Sequence, residues 1–567
     1  MHTVSTLRTL GAVALAAALA CSGARAADGW APTRTLKVVE AAISGTPVAP
    51  GQAVHVAVTL RLRDQAALDA LTRQLVAGGG DARPRPLARG EFLARFAPTA
   101  AEAEAVAAHL RRAGFANLRI APNRLVVSAD GTAATVRAAF DTELRQVDAN
   151  GRAAFANAGD VRVPAALAGL VTAVQGLQTV SKPHTLHRLA AMGPAEAFAV
   201  AGKKAGTAVP HYPTDFPAIY DATQLPPATG ATLGIISSGD ISQTLTDLDT
   251  FVQHAKFAPP DVEQVTVGDP GFDTSAVVEW NLDSQTALST AGGQLGKLVF
   301  YVGTALDNAS LTEAYNQAVS DDAAQVINVS IGQCETASRD MGVEAADDPI
   351  FQAAVAQGQV FSVSTGDSGA FECSNRKNSG QSYPAVSPWV MAIGGTQVQT
   401  DGTTTWASET VWSCATAVSC NRDAAGGAGG GVSVTEPAPQ WQRDAGVLGS
   451  STGRGVPDIS FDADPLSGAL IVIGTQVGKV GGTSLAAPIF SGFWARLQSR
   501  HGNTLGFPAA PLYQYGHVAA NASAMFHDVT AGKNGVYAAG AGWDWASGFG
   551  SLDIAKFDAF ISSHPGF

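Results

Sequence analysis

From about residue 214 onward the chain alternates short, wholly apolar runs with stretches of helical spacing. Residues 232–237 (TLGIIS) and 298–302 (LVFYV) are the first two such runs. A helical stretch over 311–319 leads into the run at 325–330, one over 349–357 leads into 359–364, and a further run follows at 390–393. A strand that is apolar at every position has both faces covered, and helices between such strands supply the covers. The pattern predicts an α/β fold, a parallel sheet flanked by helices. Sites in such sheets form at the carboxyl ends of strands. Residues 485–499 predict a further helix, and the Gly/Ala-rich stretch 424–431 a mobile loop.

Residues 27–200 are different in kind: rich in Ala and Arg, and without cysteine. Residues 55–63 (HVAVTLRLR) alternate as a half-buried strand does. Helices are predicted at 66–76, at 99–113 before Gly114, and at 132–140, with another strand at 125–128. This is a compact α+β domain set before the larger one. Residues 182–213 have poor periodicity and scattered Gly, Pro and Lys, which marks an exposed linker open to proteolysis. Before all of this, Arg8, an apolar run over 10–20 and Ala24-Arg25-Ala26 form a signal peptide with cleavage after Ala26. A membrane anchor would need about 20 apolar residues, and a lipoprotein signal at Cys21 would want leucine where Ala18 stands. The chain is therefore expected to be secreted, with no membrane partner. Its 567 residues carry a formal charge of −12, with 46% hydrophobic and 15% charged residues. That composition permits a sizeable core and lacks the basic clusters of a nucleic-acid binder. Of five cysteines, the four after the signal are Cys334, Cys373, Cys414 and Cys420. An even number in an exported chain predicts two disulfides, with three possible connectivities, and no Cys/His cluster suggests zinc.

Three short strings carry the chemistry. Gly481-Gly482-Thr483-Ser484, followed by Leu485-Ala486-Ala487-Pro488, sets a serine among small residues at the start of a helix. Alone, such a serine is an N-cap. The whole string is similar to the nucleophile motif of the subtilisin-like peptidases, and a helix N-terminus favours charge developing on a substrate oxygen. A nucleophilic serine needs a base. No His-Gly-Thr-x-Val-Ala-Gly string exists, and His254, His501, His517, His527 and His564 all lack that context. Glu279 and Asp283 supply an alternative within EWNLDSQ. Four residues turn about 400° on a helix, so both carboxyls share one face and can share a proton. Such a base still works in acid, where imidazole is protonated. Asp367, in Ser364-Thr365-Gly366-Asp367-Ser368-Gly369 at a strand end, reads alone as a turn. As a neutral carboxyl it would donate a hydrogen bond to an oxyanion.

Together these strings resemble the sedolisin family of serine-carboxyl peptidases, in particular its bacterial pepstatin-insensitive members, from after the signal to the end. Arg454-Gly455-Val456-Pro457-Asp458 adds to the resemblance, and Thr365 stands where a second serine is common. The resemblance implies a subtilisin-like domain over 201–567, a prodomain and linker over 27–200, and acid endopeptidase activity on proteins or peptides. It implies Ser484 as nucleophile, Glu279 as base, Asp283 tuning Glu279, and Asp367 at the oxyanion. It implies one structural Ca²⁺, held by the carboxyls of Asp528 and Asp544 and the carbonyls of Val529, Gly540 and Gly542, an oxygen-only set that suits this ion. The cysteines then fit as Cys334–Cys373 and Cys414–Cys420. Ser330-Ile331-Gly332 and Gly430-Gly431-Val432 could pair with an extended substrate. The prodomain would inhibit the same chain, as a monomer, until acid loosened it and the enzyme cut its linker, leaving a mature N-terminus between Met192 and Gly206. Three other outcomes remain: a tripeptide-releasing exopeptidase, a calcium-bound scaffold without catalysis, and an esterase, which would want Gly-x-Ser-x-Gly and a histidine.

Overall fold

The computed structural model describes residues 29–38, 45–77, 84–149, 151–194, 206–373, 379–413, 426–564 and 567. The signal peptide, Cys414, Cys420 and most of 192–206 lie outside the described residues. Four antiparallel strands form the N-terminal sheet, in the order Ala116–Ile120, Val126–Thr132, Ala53–Leu60, Val171–Gln175. Period two in Ala53–Leu60 sends Val56, Val58 and Leu60 into a core with Val106, Leu110, Val136 and Phe140 of two helices. The first helix, Ala100–Arg112, starts at a capping box: Thr99 Oγ1 accepts from the Glu102 amide at 3.2 Å, and Glu102 Oε2 accepts from the Thr99 amide at 2.7 Å. Ala57, of opposite parity, joins the core of the larger domain instead. His55, of the same parity, binds Asp130 Oδ1 at 2.7 Å and, across the boundary, Glu313 Oε2 at 2.8 Å.

The large domain is built on the expected parallel sheet. Its order is Val262–Val267, Leu295–Gly303, Ala228–Ser238, Val326–Val329, Val360–Ser364, Met391–Thr400, Trp406–Val411; the last pair is antiparallel, and Ile459–Asp462 also joins Met391–Thr400 in parallel. Helix Thr483–Arg500 lies against the middle of this sheet, buried from Thr483 to Gln498. It crosses helix Val277–Thr290 at Gly492. A Cβ there would lie 2.1 Å from Thr290 Oγ1 and 2.4 Å from the Ala287 carbonyl, so only glycine lets the helices approach this closely. That approach packs the helix that carries Ser484 against the helix that carries Glu279 and Asp283. No helix among the described residues is long and apolar enough to cross a membrane.

Two expectations change. The end of the 424–431 stretch is not a mobile loop: Gly427 N–H donates to the Asp367 carbonyl at 3.0 Å, and Gly429 N–H to Gly366 at 2.8 Å. The start of the 182–213 linker is not exposed coil. His184–Thr185 pairs antiparallel with Ile331–Cys334, and Arg188–Gly193 with Gln476–Gly481. Both partners had open edges, and unpaired backbone groups there take a strand readily.

Candidate active site

Helix Val277–Thr290 is buried at every position from Glu279 on. Its back is clamped by polar contacts. Asn281 Nδ2 donates to Asp247 Oδ2 at 2.6 Å, and Gln285 bonds both the amide and the carbonyl of Val472, at 2.8 and 2.9 Å. Glu279 and Asp283 then lie fully buried one turn apart. Burial, and next the charge of Glu279, raise the Asp283 carboxyl well above the usual range. Ser330 Oγ donates to Asp283 Oδ1 at 2.6 Å.

Asp367 follows strand Val360–Ser364 and is buried. Its Oδ1 accepts from the Thr483 amide at 2.8 Å and from the Thr483 hydroxyl at 3.0 Å, which ties it to the turn before Ser484. Burial pushes its carboxyl up to about 6, against the opposing pull of Arg188 and the Thr483 amide. The Cys334–Cys373 disulfide joins the end of strand Ile331–Cys334 to the loop after Asp367, the pairing implied by the resemblance. The other implied pair lies outside the described residues.

The linker occupies this cleft. Leu186 N–H donates to the Ser330 carbonyl at 3.2 Å, and Ser484 N–H donates to the Leu186 carbonyl at 3.0 Å. Gly482, at φ 104°, makes room. A Cβ there would lie 2.4 Å from the Leu186 oxygen, 2.8 Å from Asp367 Oδ2 and 2.8 Å from the His187 Cα. The Leu186 carbonyl, the Asp367 carboxyl and the start of the next residue thus crowd one face of Gly482. His187 Nδ1 lies 3.0 Å from Glu279 Oε2, and Arg188 Nε 3.3 Å from Asp367 Oδ2. Burial works against the His187 cation, yet the Glu279 carboxylate holds its pKa above the usual value. Ser484 Oγ meanwhile points to the Ser330 carbonyl at 3.4 Å. The structure therefore brings Ser484, Asp367 and Glu279 to Leu186–Arg188 of the chain itself, with Asp283 one helical turn from Glu279. Ser330-Ile331-Gly332 does pair with an extended segment; for Gly430-Gly431-Val432 the partner is Gly453–Val456. The roles of Thr483, His187 and Arg188 carry no local sequence signal.

Near the C-terminus, Asp528 Oδ2 accepts from the Gly542 amide at 3.0 Å and Asp544 Oδ2 from the Gly540 amide at 2.9 Å. One loop therefore holds both carboxyls, and neither meets a Lys or Arg among the described residues. The described residues hold no group of three or more His, Cys, Asp or Glu side chains placed for a metal. Two carboxyls with backbone carbonyls would not form such a group, and this donor set fits a hard cation.

Comparison with known proteins agrees with the fold and the family resemblance. Residues 41–180 match the Pro-kumamolisin activation domain, and residues 292–540 the subtilase family. Sedolisin of Pseudomonas sp. (strain 101) is 43% identical over 99% of this chain and 98% of its own length. Xanthomonalisin of Xanthomonas sp. (strain T-22) is 39% identical over 97% of this chain and 74% of its own length. A solved structure of Pseudomonas sedolisin, a serine-carboxyl proteinase complexed with two molecules of pseudo-iodotyrostatin, superimposes with a TM-score of 0.61 at 45% identity, covering 64% of this chain and all of that one. With such identity along nearly its whole length, the chain belongs to the sedolisin family and is a serine-type peptidase with an N-terminal activation domain.

Proposed function

We propose that the chain is a secreted, acid-acting serine-carboxyl endopeptidase that is made as a precursor and processes itself. The observation that carries this is the Ser484 amide donating to the Leu186 carbonyl beside Asp367. Ser484 Oγ attacks a substrate carbonyl carbon and gives its proton to Glu279. Asp283 holds and tunes Glu279. The oxygen that gains charge is met by the Ser484 amide and by neutral Asp367. The peptide C–N bond breaks as Glu279 passes the proton to the leaving amine, and water then releases the acyl group from Ser484 by the same steps. An endopeptidase is favoured over a tripeptide-releasing enzyme because the cleft takes a continuous chain that runs on past both sides of Ser484.

The same placement makes Leu186–His187 the first bond cut, before trimming to an N-terminus between Met192 and Gly206. A bound Ca²⁺ would be held by Asp528, Asp544 and the carbonyls of Val529, Gly540 and Gly542, and would brace the C-terminal loops.

Acidification of purified precursor, followed by N-terminal sequencing, tests the self-cut. The native chain is expected to yield an early fragment starting at His187, and Ser484→Ala none. Equal processing of Ser484→Ala with no other protease present would contradict it.

A further inference from the structure

If Glu279 and Asp283 share a proton, as the base-pair mechanism requires, something must set which oxygen of Asp283 faces Glu279. A chain of hydrogen bonds behind Asp283 does so. Ser491 Oγ, on the helix that carries Ser484, lies 3.2 Å from Asn328 Oδ1 and 3.0 Å from the Ala487 carbonyl. Asn328 Nδ2 donates to Ser330 Oγ at 3.1 Å, and the same side chain donates to Asp283. An NH₂ only donates, so Ser330 Oγ accepts from it and has its single proton free for Asp283 Oδ1, at 2.6 Å. Asp283 Oδ1 is then an acceptor. Asp283 Oδ2 and Glu279 Oε1 are buried and without a hydrogen-bond partner among the described residues. A proton shared by two carboxyls one turn apart belongs between two such atoms.

We propose that Asn328 and Ser330 are positioning residues: they fix the direction of this chain, so that Asp283 accepts on Oδ1, presents Oδ2 to Glu279 Oε1, and its ionised form is supported by their donors. Both residues are fully buried and span the gap between the nucleophile's helix and the acid pair's helix. Ser330 also meets the linker backbone through its carbonyl, so one residue registers substrate and base together.

The charged groups facing the pair are few. Asp367 lies across the cleft and His187 comes from the linker, to be lost on maturation, with Arg188 beside it. Asp247 sits on the far side of the helix, on Asn281. Asn328, Ser330, Ser484 and Ser491 are neutral. Removing the Ser330 hydroxyl takes a donor from the pair's ionised form, which raises the pH at which the pair gains its second proton. The acid-side limb of activity should move up while the limb set by Asp367 stays.

The test is the pH dependence of kcat/KM for peptide hydrolysis by mature enzyme, with precursors processed by immobilised native enzyme. Ser330→Ala is expected to shift the acid-side limb up by about one pH unit, the size of one charge-assisted hydrogen bond, with KM unchanged. Ser330→Thr keeps the hydroxyl and is expected to keep the native limb. A lowered rate with the Ser330→Ala limb in place overturns the inference, as does a limb moved to lower pH or a displaced limb in Ser330→Thr. Glu279→Gln is measured alongside. Its retaining activity would overturn the base-pair mechanism itself, whereas an inactive Glu279→Gln with an unmoved Ser330→Ala limb overturns only the role given to Asn328 and Ser330.

Discussion

In the proposed mechanism a single side chain, Asp367, would confine the chemistry to acid. Its carboxyl is pushed up to about 6 by burial. A raised pKa means that the neutral, donating form is complete well below that value and is lost as pH rises through it. An ionised Asp367 would repel the oxyanion it is meant to stabilise. Asp367→Ala is therefore expected to lower kcat by about 10²–10³-fold, the cost of one oxyanion donor. Asp367→Asn, whose amide donates at any pH, should retain more activity and lose the limb near 6. Rate against pH for a peptide substrate checks both, and an unchanged limb in the Asn variant would count against the role. The four proposed catalytic side chains were legible in the sequence because each sits in a short string of restrictive neighbours. Their partners were not. Ser330 and Asp283 are 47 residues apart, and Thr483 and Asp367 are 116 apart, so only the folded chain brings them together.

At the scale of elements, periodicity located the central strands and the nucleophile's helix, but misplaced ends. The strand expected at 232–237 runs over Ala228–Ser238, and the helix expected from Pro349 begins at Val343. Proline usually opens a helix, yet Pro349 sits within this one, held by packing on both sides. The linker was the larger omission. Its two short strands have no pattern of their own, since their register is set by edges more than 140 residues away in the chain. Arg188 rides on the second strand, 3.3 Å from Asp367, and lowers that carboxyl's pKa. Replacing it by glutamine removes that effect, so neutral Asp367 should persist to higher pH in the precursor. Arg188→Gln precursor is expected to make its first cut at a higher pH than the native chain. The mature enzymes from both are the same molecule, so any difference in processing midpoint, read by gel after timed acid exposure, belongs to the precursor. Coincident midpoints would remove Arg188 from this role.

At the scale of the whole molecule, the two-part organisation and the α/β class were legible, while the docking of the parts was not. His55 is the clearest joint. Burial disfavours its cation, but Glu313 and Asp130 together lift its pKa to about 9. Asp130, lowered chiefly by His55 against the effect of burial, stays ionised to below its usual value. The joint is thus complete below the ordinary histidine pKa, weakens as pH rises through about 9, and on the acid side gives way only as its carboxylates take protons. The proposed acid activation would accordingly act at both ends of the prodomain: on this joint, and on the linker in the cleft. A Ca²⁺ held by the C-terminal loops, as proposed, would supply a separate brace. Chelation of Ca²⁺ is expected to lower the melting temperature of mature enzyme by roughly 5–10 °C, for an ion near 100-fold above its Kd; calorimetry with and without chelator checks this, and an unchanged transition would remove the metal from the account. The central claim is tested most directly by casein hydrolysis against pH for mature native enzyme, Ser484→Ala and Glu279→Gln. Activity confined to acid in the native enzyme and absent from both variants is the expected result. Activity peaking near neutral pH, or surviving in Glu279→Gln, would contradict a serine nucleophile served by a carboxyl base.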